Sequence, residues 1–169
     1  MSPLARILIS RWPLLAALAS AALLAAVHVI QAQGYAPCEL CLKQRQVYWA
    51  AVGIGLVGYG VQRLRPGPRT RMTVAAVLAL TFLVGAGLAA YHAGVEQKWW
   101  PGPTSCTGGG SASASAMARL MAGEKIIPPQ CDKIVWSVLG LSMAAWNMLI
   151  SLGLAALSVL AARSARRGP

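Results

Sequence analysis

Acidic residues are scarce in this chain. Four aspartates and glutamates stand against 15 lysines and arginines in 169 residues, and charged residues make up only 11% of the sequence. A water-soluble globular domain carries about a quarter of its residues as charges, so the deficit points to lipid as the main solvent. The chain is 57% hydrophobic and its mean hydropathy is +0.58. The formal charge of +11 raises the question of nucleic acid. Binding of RNA or DNA calls for cations interleaved with exposed aromatics on a wet face. Here the cations sit instead at the ends of apolar runs, and we expect no nucleic-acid partner.

A spanning helix needs about 20 mostly apolar residues. Four stretches meet that need: about 12–30, 42–62, 72–95 and 134–162. The second is the shortest, with Gln46–Gln62 as its uncharged part. His92 is the residue of the third that titrates near neutral pH. The sequence thus predicts an all-α membrane protein, a four-transmembrane-helix antiparallel bundle forming one domain over 1–169, with both termini on one side. The outer loops are expected at about 31–41 and 96–133. A cleaved signal peptide is the rival reading of the N-terminus. The first apolar run is too long for a usual signal core, so a retained helix is expected.

Acids are missing altogether from one side of that layout. Arg6, Arg11, Arg63, Arg65, Arg69, Arg71, Arg163, Arg166 and Arg167 flank the spans there, whereas Glu39, Glu96, Glu124 and Asp132 all fall on the other. The positive-inside rule makes the arginine side cytoplasmic. Cysteine is likewise absent from the spans and from the arginine side. Cys38 and Cys41 lie in the short outer loop, Cys106 and Cys131 in the long one. Disulfides persist in the periplasm and not in the cytosol, so an even count there points to disulfide chemistry.

The long loop opens on Trp99-Trp100, suited to an aromatic belt at the headgroups, and on Pro101-Gly102-Pro103. A glycine run from Gly108 to Gly110 and a serine–alanine tract follow, a flexible composition. Met117, Leu120 and Met121 then recur at helical spacing, which predicts a short interfacial helix. Pro128-Pro129 precede Cys131. Flexible residues after Cys106 and stiff ones before Cys131 describe a loop that swings while its ends stay registered. Gly53, Gly55, Gly58, Gly60, Gly85, Gly87 and Ala89 read as small residues for close helix packing.

"CELC", residues 38–41, admits more than one chemistry. Zinc wants four cysteine or histidine ligands in a closed tetrahedron. Cys38 and Cys41 supply one proper half, but Cys106 and Cys131 are 25 positions apart and are no second knuckle. His28 lies inside the first span and His92 near the outer end of the third. Two structural disulfides form another reading. A bridge within Cys-x-x-Cys closes a very small loop, however, and stabilises little through chain entropy. Local electrostatics favour redox work. Cys41 falls near the positive N-terminal end of a helix, and Arg45, four residues on, shares its face. Both lower a thiol pKa, while Glu39 opposes them. Lys43 reads as a cation snorkelling to the headgroups.

Four spans, Cys38-x-Leu-Cys41-x-x-x-Arg45 opening the second, and a cysteine pair in the second outer loop resemble the disulfide bond formation protein B family (DsbB). The stretches "YHAGVEQKWWPGPTSCTGGG" and "CDKIVWSVLGLSMAAWN" look like its alphaproteobacterial-type branch. Lys133-Ile134 departs from that branch, where another acid is expected, a departure that bears on partner docking. The resemblance implies a bacterial inner-membrane oxidoreductase that is multi-pass with both termini cytoplasmic. It implies that a periplasmic thioredoxin-fold dithiol protein (DsbA-like) is reoxidised and that electrons pass to a membrane quinone, ubiquinone ahead of menaquinone. By position, Cys106 would take the partner's thiolate. Cys131 would then attack Cys38, and Cys41 would be released facing the quinone. Arg45 would hold the quinone, His92 is a further quinone-side candidate, and His28 is expected to be a packed helix residue. No metal is implied. A vitamin K epoxide reductase-like enzyme shares the parts but in the reverse order. A metal-binding or purely structural membrane protein completes the alternatives.

Overall fold

The computed structural model describes residues 10–33, 37–103, 121, 130–134 and 136–166. Cys106 and most of the expected interfacial helix lie outside them. Four long helices dominate: α1 (Trp12–Ala32), α2 (Glu39–Leu64), α3 (Pro68–Glu96) and α4 (Met143–Arg166). Three of these, α1, α3 and α4, are long and apolar enough to cross a membrane. At about 1.5 Å per residue even α1, the shortest, spans a hydrocarbon core of about 30 Å. The helix α2 has 26 residues but carries Glu39, Lys43, Gln44, Arg45 and Gln46 in its first turns, which lowers its hydropathy.

The helices pack mainly as neighbours in chain order, with further contacts between α1 and both α3 and α4. Pro13 lies at the first turn of α1 and Pro68 at that of α3, where a missing backbone N–H leaves no bond unmade. A core of Ala16 and Leu24 from α1, Tyr48 and Ala51 from α2, Leu78 and Phe82 from α3 and Ala155 from α4 ties all four together. The chain's one phenylalanine is thus fully buried at that centre. Outward faces stay apolar: Val29, Val57 and Leu80 are each at least 60% exposed, as a lipid-facing surface requires.

The small residues divide. A Cβ on Gly55 would meet the Pro13 carbonyl oxygen at 2.5 Å, so α1 and α2 touch backbone to backbone there. Gly58 lies equally close to Val74, whereas Gly53, Gly60 and Gly87 have nothing within 4 Å.

The fourth helix begins later than hydropathy predicts. The span expected from residue 134 opens instead with a hairpin, β1 (Ser137–Val138) paired antiparallel with β2 (Leu141–Ser142). Leu139 and Gly140 turn it at φ 52° and 77°, the positive pair that a tight hairpin turn needs. Ser142 Oγ then accepts from Ala145 N–H at 3.2 Å, capping α4. Trp146 Nε1 donates to the Val138 carbonyl at 3.0 Å and holds the hairpin on the helix it introduces.

At the same end, α3 stops in a reciprocal cap. Lys98, at φ 59°, donates through its N–H to Val95 O, and Trp99 N–H donates to Gly94 O, a Schellman arrangement. Trp100 folds back over Gly94, stacks on Tyr91 and donates to the Tyr91 carbonyl at 2.9 Å. Trp99 stays 73% exposed. The expected aromatic pair is therefore split between a helix-end lock and an outward ring.

Candidate redox site at the outer helix ends

Cys38 is the N-cap of α2, its sulfur accepting from the Cys41 N–H at 3.2 Å. That places Cys41 in the first turn, ahead of the apolar stretch 42–62. Both are free thiols, and their sulfurs lie 2.7 Å apart. The hydrogen bond from Cys38 pushes the Cys41 thiol down to about 7. The Cys38 backbone N–H group and the nearby Arg45 charge act the same way, while burial and Glu96 oppose them. The same shared proton, with burial, pushes Cys38 up. Of the two, Cys41 is the thiolate.

Arg45 is partly buried and donates through Nη1 to Gln31 Oε1 at 2.6 Å, so the end of α1 holds it over the α2 N-terminus. Lys43 pairs instead with Glu39 at 2.9 Å across one exposed turn. His28, expected to be packed, is exposed; its Nδ1–H donates to the Leu24 carbonyl at 2.6 Å.

His92 comes from α3, one turn before its end, and is buried. Its Nε2 lies 3.7 Å from Cys38 Sγ and 3.9 Å from Glu96 Oε1. Cys131 is fully buried and disulfide-bonded. It packs with Cys38, Leu40 and Val95. The ligating atoms of Cys38, His92 and Cys131 all lie within 4.8 Å of one another. That spacing would suit a metal, but the bonded Cys131 sulfur offers no thiolate to one.

A cavity of about 280 Å³ opens beside the dithiol. Its walls are largely apolar, with Leu23, Val27 and Ile30 from α1 and Ile150 from α4; Cys41, Arg45 and His92 add polar groups. Lys133, the residue that departs from the expected acid, lines it too. The structure thus gathers Cys38, Cys41, Arg45 and His92 around one cavity and sets Cys131 against Cys38.

Sequence reading missed Gln44, Tyr48 and Asn147. Gln44 Nε2 donates to His92 Nδ1 at 2.8 Å, Asn147 Nδ2 donates to Gln44 Oε1, and Tyr48 O–H donates to Asn147 Oδ1. Ser151 Oγ lies 3.0 Å from the Tyr48 oxygen. The available signal was register: Cys41, Gln44 and Tyr48 fall three and four residues apart, one face of a helix.

The family model described as disulfide bond formation protein DsbB matches residues 10–161. A disulfide bond formation protein B of Xanthomonas euvesicatoria pv. vesicatoria is 33% identical over 160 residues, 91% of this chain and 90% of that one. Those of Xylella fastidiosa and Dechloromonas aromatica are 30% and 32% identical, covering 80% and 74% of this chain and 78% and 74% of theirs. With its apolar helices and its buried cysteines at one end, the chain belongs to the DsbB family, transmembrane oxidoreductases of disulfide bond formation.

Proposed function

We propose that this protein reoxidises a periplasmic thioredoxin-like dithiol protein and passes the electrons to a membrane quinone. One observation carries the reading: the dithiol Cys38–Cys41 borders an apolar cavity while the second redox segment, at Cys131, reaches the same Cys38 sulfur. A dithiol placed so can receive electrons from a water-side loop and surrender them to an oxidant dissolved in lipid.

The outer pair is Cys106–Cys131. The partner's thiolate attacks Cys106, a partner–Cys106 bond forms, and Cys131 leaves with the electron pair of the broken bond. Cys131 then attacks Cys38 of an oxidised Cys38–Cys41 pair; the Cys38–Cys131 bond forms and Cys41 leaves as thiolate. Each exchange conserves electrons, moving an electron pair inward as the sulfur–sulfur bond shifts outward toward the partner. A low pKa at Cys41 makes it the better leaving group.

The cavity's donor set fits a quinone. Apolar walls take the ring and tail, and Arg45 supplies a planar cationic donor for a carbonyl oxygen. When bound, a quinone supplies a two-electron, two-proton acceptor. Ubiquinone is the first choice and menaquinone the second. In this reading α2 is the fourth span, the arginine end faces the cytoplasm with both termini, and the membrane is the bacterial inner membrane. Arg11, Arg63 and Arg71 gather in one cleft at that end, which supports the orientation.

The test is to mix purified protein, quinone and a reduced thioredoxin-like partner and to follow quinone absorbance. Catalytic loss of the oxidised quinone, dependent on the partner, is expected. No turnover with either ubiquinone or menaquinone would refute the reading.

A further inference from the structure

The hydrogen bonds beneath the dithiol form one directed chain. The two side-chain amides alternate donor and acceptor along it: Tyr48 O–H to Asn147 Oδ1, Asn147 Nδ2–H to Gln44 Oε1, Gln44 Nε2–H to His92 Nδ1. An imidazole nitrogen that accepts carries no proton. Neutral His92 therefore bears its proton on Nε2, the nitrogen facing Cys38 Sγ at 3.7 Å. That distance is within hydrogen-bonding range for sulfur, whereas the 3.9 Å to Glu96 Oε1 is too long for oxygen. A ring nitrogen of His92 also lies within 4.8 Å of Cys131 Sγ, so His92 borders both redox segments.

We infer that Gln44, anchored by Asn147 and Tyr48, is a positioning residue that holds His92 as the Nε2–H tautomer, aiming a donor at the Cys38 sulfur. The inference rests on the proposed thiol exchange. Completing that sequence, the partner's second thiolate attacks its own half of the partner–Cys106 bond and releases the Cys106 thiolate, which then attacks Cys131 and opens the Cys38–Cys131 bond. A Cys106–Cys131 bond forms and the electron pair of the broken bond stays on Cys38. At that moment Cys38 carries charge in a buried place, with two donors on it: the Cys41 backbone N–H at 3.2 Å and His92 Nε2–H. Buried charge is costly unless donors meet it.

A chain of side-chain amides, Gln44 buried and Asn147 at the cavity wall, is needless for packing apolar helices. Its members come from three helices, with α2 supplying Gln44 and Tyr48, α3 His92 and α4 Asn147. Reversing its polarity would require both amides to turn over together and would leave Nε2 bare before Cys38. The chain's direction and the donor to Cys38 are thus one property.

The chain holds two histidines, and they are set oppositely. His28 gives its Nδ1 proton to the Leu24 carbonyl, so it is the Nδ1–H tautomer. Histidine-labelled protein, read by ¹⁵N chemical shifts at mildly alkaline pH, should show one residue of each tautomer, with a His28→Gln variant assigning them. Gln44→Glu is nearly isosteric, and its carboxylate accepts where the amide donated. It should invert His92 to Nδ1–H.

A second readout uses protein whose only cysteine is Cys38. There Gln44→Glu should slow alkylation of Cys38 several-fold at fixed pH, whereas the Gln44 protein should match neither His92→Ala nor Gln44→Glu in rate. An Nδ1–H signal for His92 in the parent, an unchanged tautomer in Gln44→Glu, or equal alkylation rates would each overturn the inference. None of these measurements uses quinone or partner, so they fail separately from the proposed activity.

Discussion

Cys131 Sγ lies within 4.8 Å of Cys38 Sγ, although the two are 93 positions apart and Cys131 lies between α3 and α4. Leu40 and Val95 close over both. A disulfide needs about 2.0 Å, and side-chain rotation covers a gap of that order. With Cys41→Ala and Cys106→Ala combined, Cys38 and Cys131 are the cysteines that remain. Mild oxidation of this variant should yield an intramolecular Cys38–Cys131 bond, found by peptide mapping without reductant. Persistent free thiols or cross-linked dimers would show that the approach is unproductive.

Removing Cys131 alone tests the order of events. A partner–Cys106 bond formed in Cys131→Ala lacks the thiol that carries electrons inward. Cys106 has no sulfur to leave it in this variant, so it is first loaded as a mixed disulfide with an aromatic thiol. A partner that has lost its second cysteine should displace that thiol and leave a stable partner–Cys106 bond, and quinone reduction should fall to background with the intact partner. Cys106→Ala should give neither adduct nor turnover. Normal turnover by Cys131→Ala would remove that residue from the relay.

The long helices, and the placing of Cys38 and Cys41 at the head of α2, were legible because each is a local property. Apolar runs of the right length announced α1 and α3, and small residues announced the Gly55 contact. The start of α4 was not legible. Hydropathy stays high through Val138, Leu139 and Leu141, so an apolar count runs straight over a hairpin fixed by two positive φ angles and a serine cap. Arg45 and Cys41 share a helix face, so their relation followed from spacing. The pairing of Gln44 with Asn147 did not, because it joins residues far apart in sequence by side chains reaching across from α2 to α4. His28 was expected to be packed; burial depends on which face of α1 meets a neighbour, and α1 turns His28 outward.

Cys41 should titrate near neutrality. Its folded pKa of about 7 lies below the ordinary thiol value of 9.0. The thiolate is therefore present above about 7 and lost as pH falls through it. Any stability it lends is full above the unfolded value and disappears on the same descent. Alkylation of Cys41 in reduced protein should rise through neutral pH and level off on the alkaline side. Cys38→Ala removes the largest cause and should move the midpoint up; Arg45→Ala should move it up by less. A midpoint at the ordinary thiol value in the parent protein would contradict the site's electrostatics.

Gly55 should tolerate no side chain. A Cβ there meets the Pro13 carbonyl oxygen at 2.5 Å and the Ala17 Cβ at 2.8 Å, and backbone cannot step aside as a side chain can. Gly55→Val should part α1 from α2 and cost about 1–3 kcal/mol, the usual range for overpacking. Gly53→Val, with open space at that position, is the control. Thermal unfolding in detergent should show a clear loss for the first and little change for the second.

Arg45 lines the cavity with Cys41 one turn behind it, and Gln31 fixes its guanidinium from α1. Lysine in its place keeps the charge but loses the planar fork and the reach to Gln31. Arg45→Lys should weaken quinone use moderately and Arg45→Ala severely. A hydrogen bond to a charged group is worth about 1.5–3 kcal/mol, so its loss should cost roughly one to two decades in apparent quinone affinity or turnover. Gln31→Ala should have a smaller effect in the same direction, because it frees the guanidinium without removing it. Formation of the partner–Cys106 adduct should survive in all three variants, since that exchange occurs in the other outer segment and needs no quinone. Quinone titrations and single-turnover reaction with reduced partner, run side by side, separate these effects. Parent-like quinone kinetics in Arg45→Ala would return Arg45 to the role of a cation anchored at the headgroups.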